Sequence, residues 1–476
     1  MKKIILSLIM LIAGLCFTAQ AASDSWSLNG SGNWSNTANW AGGNIPGVFN
    51  TNASGDTATF TNALTAPVTV TVDSFRAISN IVFGSTSANG FTIGGGTIRM
   101  NDKAGIYVLA GTGTHDDTIS SAISLRGLGN STFTFRNDSA GSTGGLVISG
   151  NISSATPNTA NTFTINLDGV SAKANNAISG VISDGGSTNI NTHVAVVKNG
   201  TGQWTLQNNN NFAGGLTVNA GTLRYFGAGK TVFGAGLVTI NDGVTFNKAN
   251  NTAPIINNAM KVNGNFTFRG DSNNNIWSGP MDLAAGTRTI TVNANLGISG
   301  VISNGSLIAA GTKILTLSGA NTLDSMTVST GTLLVDGDSS GSGALTVASG
   351  ATVGGNGTVS DLVLQDGAQF LFDAAATLTA NGTSVDLGNL SVASLVGLDG
   401  AAVANGIYTL IDGTAAFDFT SVQNLGLANA ADIGGGKSAY FQQGSLDLVV
   451  IPEPATIGML GLGALMTIML RRMRTR

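Results

Sequence analysis

From Thr57 onward, apolar and polar residues alternate in short bursts. Val68-Thr-Val-Thr-Val72, Ile78-Ser-Asn-Ile-Val-Phe83 and Phe91-Thr-Ile93 are the clearest. Successive side chains of a strand point to opposite faces, so each burst predicts a strand with one buried and one solvated face. Gly, Asn, Asp and Ser break the bursts at intervals of about 8–12 residues, the spacing expected of an all-β chain.

A longer period lies over the short one. Ile-Ser-x-x-Ile-Ser begins at Ile119, Ile148, Ile178 and Ile298, with successive starts 29, 30 and 120 apart, the last being four times 30. The copies at Ile178 and Ile298 both read Ile-Ser-Gly-Val-Ile-Ser. A second shared block follows each. Trp204-Thr-Leu-Gln-Asn-Asn-Asn-Asn-Phe212 leads into Leu216-Thr-Val-Asn-Ala-Gly-Thr-Leu223, and Leu315-Thr-Leu-Ser-Gly-Ala-Asn-Thr-Leu323 leads into Met326-Thr-Val-Ser-Thr-Gly-Thr-Leu333. In each block Leu and Val fall on one face, and Gly221 or Gly331 supplies a tight corner. Asparagines stacked between rungs would satisfy turn backbone. One such rung cannot bury its apolar face alone, so neighbours must stack into a solenoid.

These blocks resemble the autotransporter-associated β-strand repeat of bacterial passenger proteins. Residues 198–224 match best, from Lys198-Asn-Gly-Thr-Gly-Gln-Trp-Thr-Leu206 through Gly214-Gly215 to Val218-Asn-Ala-Gly-Thr-Leu223. The copy at 313–335 has Asp324-Ser325 in place of the Gly-Gly pair. The resemblance implies a right-handed parallel β-helix. The translocating barrel of a true autotransporter would need well over a hundred further residues. Only a short tail follows here, so self-translocation is not expected.

That tail, residues 451–476, reads Pro452-Glu453-Pro454, then an uncharged apolar run at 455–470, then Arg471, Arg472, Arg474 and Arg476. Sixteen helical residues span roughly 24 Å, enough to cross a bilayer with local thinning. The arginines should stay cytoplasmic, leaving the rest outside. Glu453 is the only glutamate of the chain. The tail resembles a PEP-CTERM sorting signal of Gram-negative bacteria, which an exosortase, a membrane-embedded protease, cuts near the motif. By that resemblance Pro452, Glu453 and Pro454 are the recognition motif, the single transmembrane helix holds it, and the four arginines retain it.

The opposite end reads as a secretory signal peptide over 1–21, with Lys2 and Lys3, an apolar core, and a cleavage site at Ala19-Gln20-Ala21. Cys16, the only cysteine, leaves with it, so no disulfide is expected. Six of the 21 basic residues lie in Lys2, Lys3 and the terminal arginines, so 15 remain against 25 acids, or −10. Such a chain has no basic field to neutralise phosphates and is not expected to bind nucleic acid. Sixty-seven glycines could suggest disorder, but a 42% hydrophobic content supports a core.

The expected organisation is therefore signal peptide 1–21, a Trp-rich N-terminal cap 22–56, a β-solenoid 57–395, capping strands 396–450 and the sorting signal 451–476. In the cap, Trp26, Trp34 and Trp40 either close the first rung or form an exposed sugar-stacking platform; closure is the preferred reading.

Candidate chemistry is sparse. His115-Asp116-Asp117 with Arg126 has residue types that polysaccharide lyases and glycoside hydrolases use, but it reads as a solvated loop. His193 reads as a strand end. Asp336-Gly-Asp338 lacks the remaining ligands of a calcium loop, with Val347 where the final glutamate belongs. Gly227-Ala-Gly-Lys-Thr231 has Arg224 in place of the first phosphate-loop glycine and reads as a turn. No catalytic residue, metal or cofactor is expected. The chain reads as an exported, non-catalytic surface or matrix protein. Its expected partners are the export machinery, an exosortase, the inner membrane during transient anchoring, and surface glycans such as exopolysaccharide. A polysaccharide-active β-helix enzyme is the alternative, and permanent single-pass anchoring a third reading.

Overall fold

The computed structural model describes residues 22–49, 55–139, 144–155, 160–185, 192–226, 231–249, 255–270, 275–453 and Arg471. Outside them lie the expected signal peptide with Ala19 and Ala21, Pro454, the apolar run 455–470, and Arg472, Arg474 and Arg476. No helix among the described residues is long and apolar enough to cross a membrane. The regular elements between 22 and 453 are strands, with single 3₁₀ turns at Thr37–Asn39, Val392–Ser394 and Leu427–Asn429. The chain forms two compact units, one of residues 1–239 with 244–247, the other of 240–243 with 248–476.

The first unit begins with a knot of tryptophan. Trp26, Trp34 and Trp40 are buried and their rings surround Phe60 at 5.8 to 6.3 Å. The Trp34 indole N–H donates to Pro46 O at 2.9 Å, and that of Trp40 to Trp34 O at 2.8 Å. Buried this way, the rings offer no open sugar-stacking face. Two long parallel strands follow, Val68–Phe83 and Phe91–Val108, bent by register shifts between Val72 and Phe75 and between Ile78 and Asn80.

Three-strand coils come next. Asp117–Ile119, Ala122–Leu125 and Ser131–Asn137 make the first; Leu146–Ile148, Ile152–Ser154 and Thr162–Gly169 make the second. All pair in parallel with the coil before and after. Ile148 lies on Ile119 and Ile178 on Ile148, so these coils keep the spacing of the sequence motif. The period then shortens. Leu206 lies on Ile178, still a long step, but Tyr225 already lies on Leu206.

The second unit keeps the short period as far as Val335 and lengthens again near its end, where Ile411 lies on Leu378. Trp277 lies on Ile256, Ile298 on Trp277, Leu317 on Ile298 and Val335 on Leu317, in steps of 21, 21, 19 and 18. The interval between the two identical Ile-Ser-Gly-Val-Ile-Ser copies is therefore not four equal coils. Inward side chains such as Leu315, Leu317, Val328 and Leu345 are fully buried, each contributing about 1.5–3 kcal/mol of apolar transfer. The unit ends in an antiparallel sheet, where Leu446–Pro452 lies between Gly406–Gly413 and Lys437–Gln442.

The Ile-Ser-Gly wording has a geometric cause. At each such corner two successive amides converge on one carbonyl of the preceding coil. Ser149 and Gly150 N–H donate to Ile119 O, Ser179 and Gly180 to Ile148 O, and Ser299 and Gly300 to Trp277 O. Asp336 and Gly337 do the same to Leu317 O. The backbones of successive coils also lie so close that a Cβ on Gly319 would overlap Gly300 O, one on Gly337 would overlap Gly319 O, and one on Gly357 would overlap Gly337 O. At these three positions only glycine fits, whereas the first copy makes its double contact on Ile93 O with Ser120 and Ser121.

Gly319→Val is therefore expected to cost about 2–4 kcal/mol, read as a lower midpoint in thermal or urea unfolding. Gly129→Ala, with nothing near its added methyl, should stay within about 0.5 kcal/mol of wild type.

Candidate functional site

The two repeat blocks share a buried asparagine that takes the place of a strand residue. Asn210 and Asn321 are each 1% exposed. Asn210 Oδ1 accepts the N–H of Ile182 at 2.9 Å, and its Nδ2 donates to Val232 O at 2.8 Å. Asn321 Oδ1 likewise accepts the N–H of Ile302 at 2.9 Å, and its Nδ2 donates to Ser339 Oγ at 3.1 Å. The amide side chain has one acceptor and one donor end, so it bridges the coil below to the coil above where the strand is interrupted. Exposed asparagines form a second ladder, with Asn219 Nδ2 on Asn199 Oδ1 at 2.6 Å and Asn199 Nδ2 on Asn166 Oδ1 at 2.7 Å.

His115 and Asp117 are not in a solvated loop. They are 8% and 1% exposed, and His115 Nε2 lies 3.3 Å from Asp117 Oδ2. Parallel stacking pulls them in, because the next coil passes directly over the His115 backbone at Gly144. His115 Nδ1 lies 2.8 Å from Ser87 O, and Asp117 Oδ1 accepts the N–H of Phe91 at 3.0 Å. Neither a carbonyl nor a carboxylate donates, so both ring nitrogens must carry protons for both contacts to be hydrogen bonds. Burial alone would lower the His115 pKa, but the Asp117 carboxylate and the Ser87 carbonyl outweigh it and the net shift is upward.

Asp116 is half-buried and accepts from Asn175 Nδ2 at 3.0 Å. Asp116 and Asp117 act on the buried Lys173, whose pKa burial lowers. Arg126 instead influences Arg99. The groups the sequence brings together as candidate chemistry thus divide into a buried cluster, which braces backbone, and a separate surface cation.

The other candidates also serve local structure. His193 opens the strand His193–Lys198 and pairs with Asp184 at 3.1 Å. Asp338 Oδ1 accepts from Ser340 N–H and Oγ, and Asp336 Oδ1 from Asn356 N–H. Of the phosphate-loop-like stretch only Thr231 is described. No group of three or more metal-ligating side chains occurs among the described residues. An open depression of about 670 Å³ lies over Phe417, Phe419 and Gln443, which no sequence pattern marks.

Lys198, inside the better repeat copy, is the least expected residue. It is fully buried and its ammonium donates to Gly200 O and to Ala220 O, the latter at 3.0 Å. Burial lowers its pKa to about 8, with Asp168 acting in the opposite direction. Lys198 registers on Val218 as Ala309 registers on Val328, so the second copy does without the cation.

Of the expected sorting motif, Pro452 and Glu453 are described and exposed. Pro452 pairs with Lys437 at the end of the terminal sheet, and Glu453 N–H donates to Gly436 O at 2.9 Å. Lys437 Nζ in turn donates to Gly400 O at 2.9 Å. Arg471 is exposed.

Opposite pH signatures follow for the two buried cations. The raised His115 pKa contributes stability that is full below about pH 6.5 and fades as pH climbs through its folded value. The depressed Lys198 pKa does the reverse: between pH 8 and about 10.5 the unfolded chain holds the proton and the folded one does not, so stability rises by about 3 kcal/mol. Unfolding midpoints measured across pH should lose the alkaline rise in Lys198→Met and the acid-side stabilisation in His115→Gln. Asn321→Leu, which strands the Ile302 amide, should cost about 1–3 kcal/mol at every pH.

Compared with known proteins, no curated protein and no solved structure matches the chain. The family model of the passenger-associated-transport-repeat matches it twice, at residues 196–224 and 307–335. The chain thus carries two autotransporter-type β-strand repeats within a parallel β-solenoid.

Proposed function

We propose that the protein is an exported, non-catalytic passenger-like β-solenoid of the cell surface or extracellular matrix, serving adhesion or exopolysaccharide association. The observation that carries this reading is the pair of repeat matches, one in each unit, each lying on strands that pair in parallel with the next coil. The coils are taken as right-handed, the sense in which twisted strands feed a parallel neighbour. A stacked solenoid suits display because its outward positions repeat from coil to coil while its inward positions hold the fold.

Delivery is assigned to the two ends. A signal peptide cut after Ala21 would start export, and Pro452-Glu453-Pro454 would mark the exosortase site. The run 455–470 would anchor the chain in the inner membrane until that cut, with Arg471, Arg472, Arg474 and Arg476 inside. The folded end supports a short tether, because Leu446–Pro452 is hydrogen-bonded on both flanks. Little slack therefore separates the sheet from the membrane-facing segment, and a protease needing extended substrate must open that sheet or act before it closes.

In the native host, intact mass of the surface form should end near the motif and exclude the terminal arginines. Glu453→Ala should leave an uncut, membrane-bound precursor, and a flexible Gly-Ser insert after Ile451 should speed processing. A mature surface form that keeps the whole tail would overturn the sorting reading and establish permanent anchoring. Cytosolic full-length chain would overturn export itself.

A further inference from the structure

With the three cap tryptophans buried, an open aromatic surface lies instead near the other end of the chain. Among the described residues, Ala416–Asp418 is the last strand of its sheet and pairs in parallel with Ser384–Asp386 alone. Phe417 lies on the fully buried Val385, so its ring stands on the inward side, with the Phe419 ring beside it. No further strand follows on that edge, and both residues stay half-buried under the open depression of about 670 Å³. The two rings are nearly parallel, 19° apart with centroids at 6.0 Å. At that spacing they are offset, which leaves part of each face uncovered.

Polar groups surround this floor. Ala416 N–H donates to Thr383 O at 3.1 Å, so the N–H and C=O of Phe417 point the other way, toward the depression. Gln443 is exposed in a turn on the opposite wall. A second depression of about 380 Å³, lined by Tyr440 and Gln442, meets the first at Gln443. Among the described residues no cationic side chain lines either one.

We propose that these joined depressions bind a neutral glycan chain, with the C–H face of a sugar on Phe417 and Phe419 and its hydroxyls on Gln443 and the Phe417 backbone. A sugar ring pairs an apolar C–H face with a rim of hydroxyls, and covering that face with an aromatic ring is favourable. An amide side chain offers hydroxyls both a donor and an acceptor. Both volumes fall in the range of small-ligand sites. An acidic glycan fits less well, because the exposed Asp418 lies in register with Asp386 and repels further carboxylates. A peptide strand also fits less well. Ala415 N–H is bound to Ala380 O, and Phe419 O takes the Val422 N–H, which leaves too short an edge to extend the sheet. The inference rests on the matrix role proposed above and names its ligand class and site.

The test is retention of the purified full-length protein by hydroxyethylcellulose, laminarin, dextran and polygalacturonate, at low and high salt. Retention on at least one neutral glycan, unchanged by salt, is expected, and the preferred polymer identifies the linkage. Phe419→Ala should weaken that binding about tenfold and Gln443→Ala by about threefold, the sizes of one stacked ring and one neutral hydrogen bond. Phe419→Tyr, which keeps the ring face, should bind like wild type. So should Leu128→Ser, a change at an exposed apolar residue of the other unit. Unfolding midpoints check that each variant is folded, and the exposed Gln443 keeps the test independent of ring packing. Undiminished binding by the double variant Phe419→Ala/Gln443→Ala overturns the site and leaves the matrix role standing. No retention on any neutral glycan, or stronger retention on polygalacturonate, overturns the ligand class. So does tighter binding of an extended Thr-Val repeat peptide than of every glycan, the outcome expected of strand addition. Export and processing, read by localisation and mass, are untouched by those outcomes.

Discussion

Close backbone approach between successive coils is the constraint on which the rest of the molecule depends. Parallel strands stacked about 4.8 Å apart exchange hydrogen bonds along the column instead of within a hairpin. At the corners the demand sharpens, because two amides share one carbonyl, as Ser299 and Gly300 do on Trp277 O. At Gly300 an added Cβ would overlap Gly279 O, whereas Ser121 makes the same double contact on Ile93 O with its side chain in place. The high glycine content is thus a packing requirement of a folded column rather than a sign of disorder, and the Ile-Ser-Gly wording records where the column turns.

The same constraint decides what polar groups do inside. A strand interruption leaves ladder donors that water cannot reach, and an unmet buried amide is costly. Asn210 and Asn321 repair this with a side chain that copies the peptide group. Lys198 repairs a corner with a cation, at the expense of a depressed pKa, and His115 links a carbonyl to a carboxylate across coils. Residue types that suggest catalysis in a linear reading here hold backbone in place.

The ends differ physically. The first rung is closed by aromatic mass, Trp26, Trp34 and Trp40 around Phe60. The last is closed by a change of pairing, in which Leu446–Pro452 is gripped by antiparallel neighbours. Both devices cover edges that would otherwise recruit further strands.

The sequence by itself determined the strand class, the corner glycines and the two repeat blocks, because alternation and backbone freedom are local properties of residue order. Gly221 and Gly331 adopt the left-handed φ of +70° and +77° that their place in the repeat requires, and the stacked asparagines form as the repeat implies. Only the tertiary structure decided coil length, since the shortening between Leu206 and Tyr225 depends on which distant strand each segment pairs with. It alone buried His115, Asp117 and Lys198, because their solvation is set by coils far away along the chain. It alone separated Arg126 from the histidine and set it beside Arg99, since residues that share a column face are neighbours through stacking and not through order along the chain.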